Sequence, residues 1–196
     1  MEPLLELDKK VFLAINGHHS PWLDQLMMFF STTSAWIPLY ILLLYLIIRN
    51  FGRDSWMILL AVALTIALAD QITSTLMKPF FARLRPSHEP GLEGLVHIVN
   101  QYRGGRFGFA SSHEANTFGI AALMWLVLKR YRPWIALLLL WAVFVGYTRI
   151  YLGVHYPGDI LAGAIVGCLC ALVVYLLLNL LRNYLARRRA LTSGSQ

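Results

Sequence analysis

Long uncharged runs separated by short charged turns set the pattern of this chain. Gln25 to Ile48 carries no charged side chain, and Ser55 to Met77 carries one, Asp70. Ser111 to Leu128 opens on polar residues and turns apolar; Pro133 to Ile150 and Ile160 to Leu181 complete the series. A membrane-crossing helix needs about 20 predominantly apolar residues, so the pattern predicts five spans. Pro38 and the polar run Ser31 to Ser34 mark where the first span can kink or break, which would add a sixth. Ahead of it, Leu4, Leu5, Leu7, Val11, Phe12 and Ile15 fall near helical spacing with Glu6, Lys9 and Lys10 between them. That spacing predicts a helix lying in the membrane surface.

Composition agrees with the pattern. Of 196 residues, 58% are hydrophobic and only 14% charged, far too little charge for the surface of a soluble domain. The expected organisation is one integral membrane domain over 1–196. Within it lie an interfacial segment at 1–20, an extracytoplasmic loop at 78–110 and a basic cytoplasmic tail at 183–196. The N-terminus has acids early and no small-residue cleavage site after an apolar stretch, so it does not read as a secretory signal. Two cysteines, Cys168 and Cys170, sit in an apolar run at a spacing that turns them to different helix faces, and neither a disulfide nor a metal site is expected from them.

The net charge of +7 is explained by basic turns. Arg49 and Arg53, then Lys129, Arg130 and Arg132, then Arg182 and Arg187 to Arg189 all fall on one side of a five-span layout, which the positive-inside rule makes cytoplasmic. No basic, aromatic groove outside the membrane is visible, so nucleic acid is not an expected partner. Lys78, Arg83, Arg85, Arg103, Arg106 and Arg149 fall on the opposite side and need another reason.

That side gathers three polar stretches at span boundaries: "KPFFARLRP" (Lys78 to Pro86), "ASSHEAN" (Ala110 to Asn116) and "TRIYLGVHYPGD" (Thr148 to Asp159). Lys78 followed after six residues by Arg85-Pro86 resembles the first signature of the type 2 phosphatidic acid phosphatases (PAP2), the membrane relatives of vanadium haloperoxidases. Thr148-Arg149, five residues, His155, three residues, Asp159 resembles the third, with Thr for the usual Ser. The middle signature keeps Ser111 and His113 of Pro-Ser-Gly-His but has Ala110 for Pro and Ser112 for Gly. The resemblance runs from about residue 11 to 182 and is similar to the small bacterial undecaprenyl-diphosphate phosphatases.

The resemblance implies an all-α, multi-pass transmembrane helical bundle of five or six spans in the bacterial inner membrane, its site facing the periplasm or exterior. It implies a hydrolase for a lipid phosphate or diphosphate that needs no metal or other cofactor. By the family pattern His155 is the nucleophile that becomes phosphohistidine, Asp159 orients it, and His113 is the acid and then the base. Lys78, Arg85 and Arg149 make the phosphate clamp, with Ser111 and Ser112 at a helix N-terminus. Elementary chemistry agrees: developing phosphoryl charge needs fixed cations, Arg forks and a Lys point charge suit it, and a helix N-terminus is a ready anion site. Undecaprenyl diphosphate is the favoured substrate on chain length and outward orientation, with phosphatidylglycerophosphate, phosphatidic acid and lipid A phosphates as alternatives. A non-catalytic lipid-binding or transport protein is the competing class, supported by the altered middle signature alone.

Simpler readings cover the remaining polar residues. Ser111 and Glu114 form an S-x-x-E capping box, which accounts for Glu114. Arg83, two positions from Arg85, is expected to point elsewhere and snorkel. Asp70 reads as a polar tie between helices, and His18, His19, His88 and His97 as solvated or interfacial. Arg103 and Arg106 flank Gly104-Gly105 in a loop able to fold over the site.

Overall fold

The computed structural model describes residues 2–193, with side chains through residue 188, and helix is its regular structure among the described residues. An isolated antiparallel bridge joins Leu84 to Phe107. The last three residues of the expected basic tail lie outside the described residues.

The N-terminal helix α1 (Glu2–Asn16) leaves Leu4, Leu5 and Leu7 exposed and buries Phe12 and Asn16. The Phe12 ring meets Tyr156 edge-on, with centroids 5.4 Å apart. Asn16 donates to the carbonyls of His97 and Tyr151 at 3.0 and 2.8 Å, so one polar side chain fastens α1 to the loop and the helical core.

The first apolar run is two helices, α2 (Pro21–Phe30) and α3 (Ile37–Phe51), joined by a single turn at Thr33–Trp36. Thr32 adopts an extended conformation, its hydroxyl bonds the Phe29 carbonyl at 2.7 Å, and the Trp36 indole N–H takes the Phe30 carbonyl at 2.8 Å. The polar run thus satisfies the end of α2 with side chains. Pro38 falls in the first turn of α3, where its missing N–H is not needed, and so introduces no kink.

Gly52, at φ +51°, reverses the chain into α4 (Ser55–Asp70). That helix continues through a π-helical stretch, Gln71–Met77, into the short α5 (Lys78–Phe81). After the long loop come α6 (Ser112–Leu128), α7 (Leu137–Tyr151) and α8 (Pro157–Ser193). Among the described residues Thr33–Phe81, folded back at Gly52, together with Pro133–Tyr151 and Pro157–Arg188, are long and apolar enough to cross a membrane. Leu161, Leu169, Leu176 and Leu180 of α8 are exposed, as a lipid-facing surface requires.

At 17 residues α6 is shorter, and it is the hub against which α4, α7 and α8 pack. Its seam with α8 is made of small residues. A Cβ on Gly163 or Gly167 would collide with the carbonyl oxygens of Ser111 and Ala115, and one on Gly119 would stand 3.1 Å from Thr65 Cγ2 of α4. Small side chains let backbones approach closely where lipid supplies no hydrophobic drive between helices. The seam brings the first turn of α6 beside the first turn of α8.

Candidate active site

The π-helical stretch widens the turn just before Lys78, a distortion that often accompanies functional positions. It turns Thr73, Ser74 and Lys78 together onto the N-terminus of α6. Lys78 Nζ donates to Ser112 Oγ at 2.6 Å and to Ser74 Oγ at 3.4 Å, while the Thr73 and Ser74 hydroxyls lie 2.9 and 2.8 Å from that same Ser112 oxygen. Ser112, standing where the family pattern has glycine, is therefore the acceptor that aims the lysine. Asp70 joins this chain through Ser74, whose hydroxyl donates to it at 3.1 Å. Among the described residues Asp70 itself bonds only within its own helix; the link to α6 is made by Ser74 and Thr73 on Ser112.

Arg85 is buried in the loop after α5. Its Nε donates to the Phe107 carbonyl at 3.2 Å and its backbone N–H to the Arg106 carbonyl at 3.1 Å. Gly104, at φ +65°, lies directly over the guanidinium, where any side chain would collide with it. Arg149, near the end of α7, is buried too; its Nη1 donates to Ser31 Oγ and its Nη2 to the Tyr102 hydroxyl at 2.8 Å. The break between α2 and α3 is what carries Ser31 there. Neither Ser31 nor Tyr102 stood out in the sequence, since a hydroxyl that holds an arginine fork has no spacing signature.

His155 follows a left-handed turn at Gly153, φ +74°. Its Nδ1 lies 3.3 Å from Asp159 Oδ2, and that oxygen also accepts the Tyr156 N–H at 3.1 Å. Both side chains are buried. Burial first, and then Arg85, Arg149, Lys78 and His113, push the His155 pKa well below 6.5. A ring so placed is neutral near pH 7, with its Nδ1 turned to a carboxylate.

His113, in the first turn of α6, is exposed at the mouth of a cavity of about 460 Å³ between α3, α4 and α6, lined by apolar residues such as Leu43, Leu59, Ile66 and Met124. Ser111 caps α6. Its hydroxyl accepts the Glu114 N–H at 3.4 Å, and its own N–H donates to the Asp159 carbonyl at 3.0 Å. The structure thus pairs His155 with Asp159, brings Lys78, Arg85, Arg149 and His113 close enough to act on the His155 charge, and links Ser112 to Lys78 and the Ser111 backbone to Asp159.

The simpler readings of Glu114, Arg83 and His97 need correction, and the loop arginines can be placed. The capping box is half-made: the Ser111 N–H is taken by Asp159, and the fully buried Glu114 carboxylate has no hydrogen-bond partner among the described residues. Arg83 does not snorkel. The Leu84–Phe107 bridge makes its segment extended, so residues 83 and 85 share a face, and Arg83 Nη1 donates to Asp159 Oδ1 at 2.9 Å. His97 pairs with Asp24 at 2.9 Å and stacks on His19 with ring centroids 3.6 Å apart. Arg103 fastens the loop by donating to the Ser87 carbonyl at 2.7 Å, while Arg106 is exposed beside the Phe107 ring.

Gly108 escaped notice in the sequence. A Cβ there would stand 2.9 Å from Asp159 Oδ2, 3.2 Å from Arg85 Cγ and 3.5 Å from His155 Nδ1. The "RFGFASS" run carries no hint of this, because the close approach is made to residues some fifty positions later.

Membrane-length helices whose ends converge on a dense cluster of cations around a neutral histidine describe an integral membrane phosphatase. The family is known directly: residues 55–182 match the model of the PAP2 superfamily, and the chain belongs to it. The match contains all three polar stretches. Over 170 residues the chain is 42% identical to a lipid A 4'-phosphatase of Bacteroides thetaiotaomicron, covering 85% of this chain and 75% of that protein. It is 31% identical over 182 residues to the Escherichia coli protein named "Putative undecaprenyl-diphosphatase YbjG", covering 88% and 84%. The crystal structure of Aquifex aeolicus LpxE superposes with a TM-score of 0.66 at 29% identity, over 86% of this chain and 94% of that one.

Proposed function

We propose that the protein removes a phosphate from a lipid A-type glycolipid at the outer leaflet, through a phosphohistidine on His155. The observation that carries the reaction is the neutral His155–Asp159 pair beneath Lys78, Arg85 and Arg149, with His113 where that cluster opens onto an apolar cavity. His155 Nε2 attacks phosphorus while the three cations hold the non-bridging oxygens as charge redistributes. The P–O bond to the lipid breaks and His113 gives its proton to the departing oxygen. His113 then takes a proton from water, the water oxygen attacks phosphorus, and the P–N bond breaks to release inorganic phosphate and neutral His155. Positive charge comes from side chains throughout, and no metal takes part.

Lipid A-type substrates are favoured by the 42% identity to a lipid A 4'-phosphatase. Undecaprenyl diphosphate is the second reading, supported by the E. coli relative and by a cavity bounded by one set of three helices, which suits a single prenyl chain. The site end of the bundle faces outward in this reading, five spans cross the membrane, and the basic turns at Arg49, Lys129 and Arg182 lie in the cytoplasm.

Phosphate release by purified protein in detergent, with a lipid A phosphate, undecaprenyl diphosphate, phosphatidylglycerophosphate and phosphatidic acid offered in parallel, tests the proposal. The lipid A phosphate should turn over fastest and His155→Ala should be inactive. Faster release from undecaprenyl diphosphate would move the substrate to the second reading. Activity surviving in His155→Ala would end the phosphohistidine route.

A further inference from the structure

The catalytic cluster described so far takes residues from α5 onward, yet the first helix of the chain reaches it. Arg83 is clamped between two carboxylates. Its Nη1 donates to Asp159 Oδ1 at 2.9 Å and its Nη2 to Asp8 Oδ2 of α1 at 2.6 Å. The guanidinium lies over the Tyr156 ring, 4.1 Å from its centroid, beside the residue that follows His155. Asp8 does a second thing: its Oδ1 accepts the Gly158 N–H at 2.8 Å. That N–H belongs to the first turn of α8, which has no intrahelical acceptor for it, and α8 is the helix that carries Asp159. These side chains are mostly buried, with the Arg83 and Asp8 side chains 18% and 12% exposed and Asp159 fully buried.

The geometry divides the work on Asp159. One oxygen is used by Arg83, and the other by the Tyr156 N–H and His155 Nδ1. A carboxylate with one oxygen pinned by a guanidinium cannot swivel, so the second oxygen stays on the imidazole. A carboxylate also stays ionised in a buried place only when a cation and hydrogen bonds compensate it.

We propose that Arg83 and Asp8 are positioning residues: Arg83, braced by Asp8 of α1, holds the Asp159 carboxylate in the orientation that aligns His155. The assignment rests on His155 being the nucleophile. It touches no part of the phosphate cradle, so it predicts a loss confined to turnover. The charged groups that face His155 are Asp159 from α8, Lys78 from α5, Arg85 from the loop, Arg149 from α7 and His113 from α6. Arg83 acts on it only through the first of these.

The test uses full-length protein in detergent, with Arg83→Met, Arg83→Lys, Asp8→Asn and the Arg83→Met/Asp8→Asn pair. Arg83→Met should lower kcat by about tenfold or more with KM within about twofold of wild type, and Arg83→Lys should recover part of the loss. Asp8→Asn should give a smaller drop, and the pair should be no worse than Arg83→Met alone, because the two act in series. Nitrogen-15 histidine NMR supplies a readout free of activity: the His155 Nδ1 resonance and its titration should move in Arg83→Met and in Asp8→Asn. An unchanged His155 resonance with unchanged kcat in any folded Arg83 variant overturns the proposal, as does a loss of thermal stability with kcat kept. Should Arg83→Met not fold, Arg83→Lys and Asp8→Asn carry the same comparison. Wild-type protein that releases no phosphate from any lipid while the His155 resonance still moves would sink the phosphatase reading and leave the alignment intact.

Discussion

Single atoms decide whether this site closes. Gly108→Ala adds one methyl where 2.9 Å separates it from an Asp159 oxygen and 3.2 Å from Arg85 Cγ. Both neighbours are held by hydrogen bonds and cannot yield cheaply, so kcat should fall by about tenfold or more, with Tm changed by only a few degrees, as steady-state kinetics and thermal melts would show. Ser112→Gly restores the residue usual in the family but removes the oxygen 2.6 Å from Lys78 Nζ. KM for the lipid phosphate should rise severalfold, because a lysine without its acceptor binds as a looser point charge; an unchanged KM would show that Ser74 alone aims it. The residues proposed to act by charge, Lys78, Arg85, Arg149, His113, His155 and Asp159, could be singled out from type and spacing. Gly108, Ser31, Tyr102 and Arg83 were not, since each matters through what it touches across the fold. Glu114 went further astray: the capping pattern was present, yet a competing acceptor, the Asp159 carbonyl, took the N–H that completes it.

Among the elements, the π-helical stretch Gln71–Met77 does the most for the site. One residue in a helix corresponds to a rotation of roughly 100°, and the widened turn already takes up one extra residue, so inserting an alanine after Ile72 should swing Lys78 away from Ser112. Folded protein with kcat/KM reduced by about a hundredfold is expected, on the scale of a lost transition-state contact; retention of activity would show that α5 re-forms independently of the widened turn. Helix positions for α4 with its π-helical continuation, α6 and α7 were readable from the apolar runs to within a few residues, while α8 runs on to Ser193, past the predicted end at Leu181. The π-helical stretch was not, because its hydroxyl residues suit an ordinary polar helix end equally well. The break at Ser31 was visible as polarity, whereas its use, carrying a hydroxyl to Arg149, depends on which carbonyls Thr32 and Trp36 claim.

For the molecule as a whole, the buried neutral His155 links folding to acidity. Its folded pKa lies well below 6.5, so below about that pH the unfolded chain takes up a proton that the native site refuses. The stability it contributes is complete above pH 6.5 and declines as pH falls toward the depressed native value. Between about pH 7.5 and 5.5, thermal unfolding in detergent should show wild type losing more Tm than His155→Gln; equal slopes would mean that the ring is already charged in the native state. The bundle itself, its membrane character and the face that holds the chemistry were open to reading because lipid demands long apolar runs and leaves few other reasons for charge at their ends.

Asp8, Arg83, Ser112, Arg149 and Asp159 belong to the hydrogen-bonded surroundings of one histidine, and they are spread from the first helix of the chain to the last. A ribosome releases them in that order, so a chain made only as far as the end of α7 has its cations but lacks both His155 and Asp159. On the proposed mechanism, phosphate release has to wait until the final helix has settled beside the first. A copy cut short before α8 is therefore expected to leave lipid phosphates untouched, and phosphate release by such a copy would contradict the assignment of His155 and Asp159.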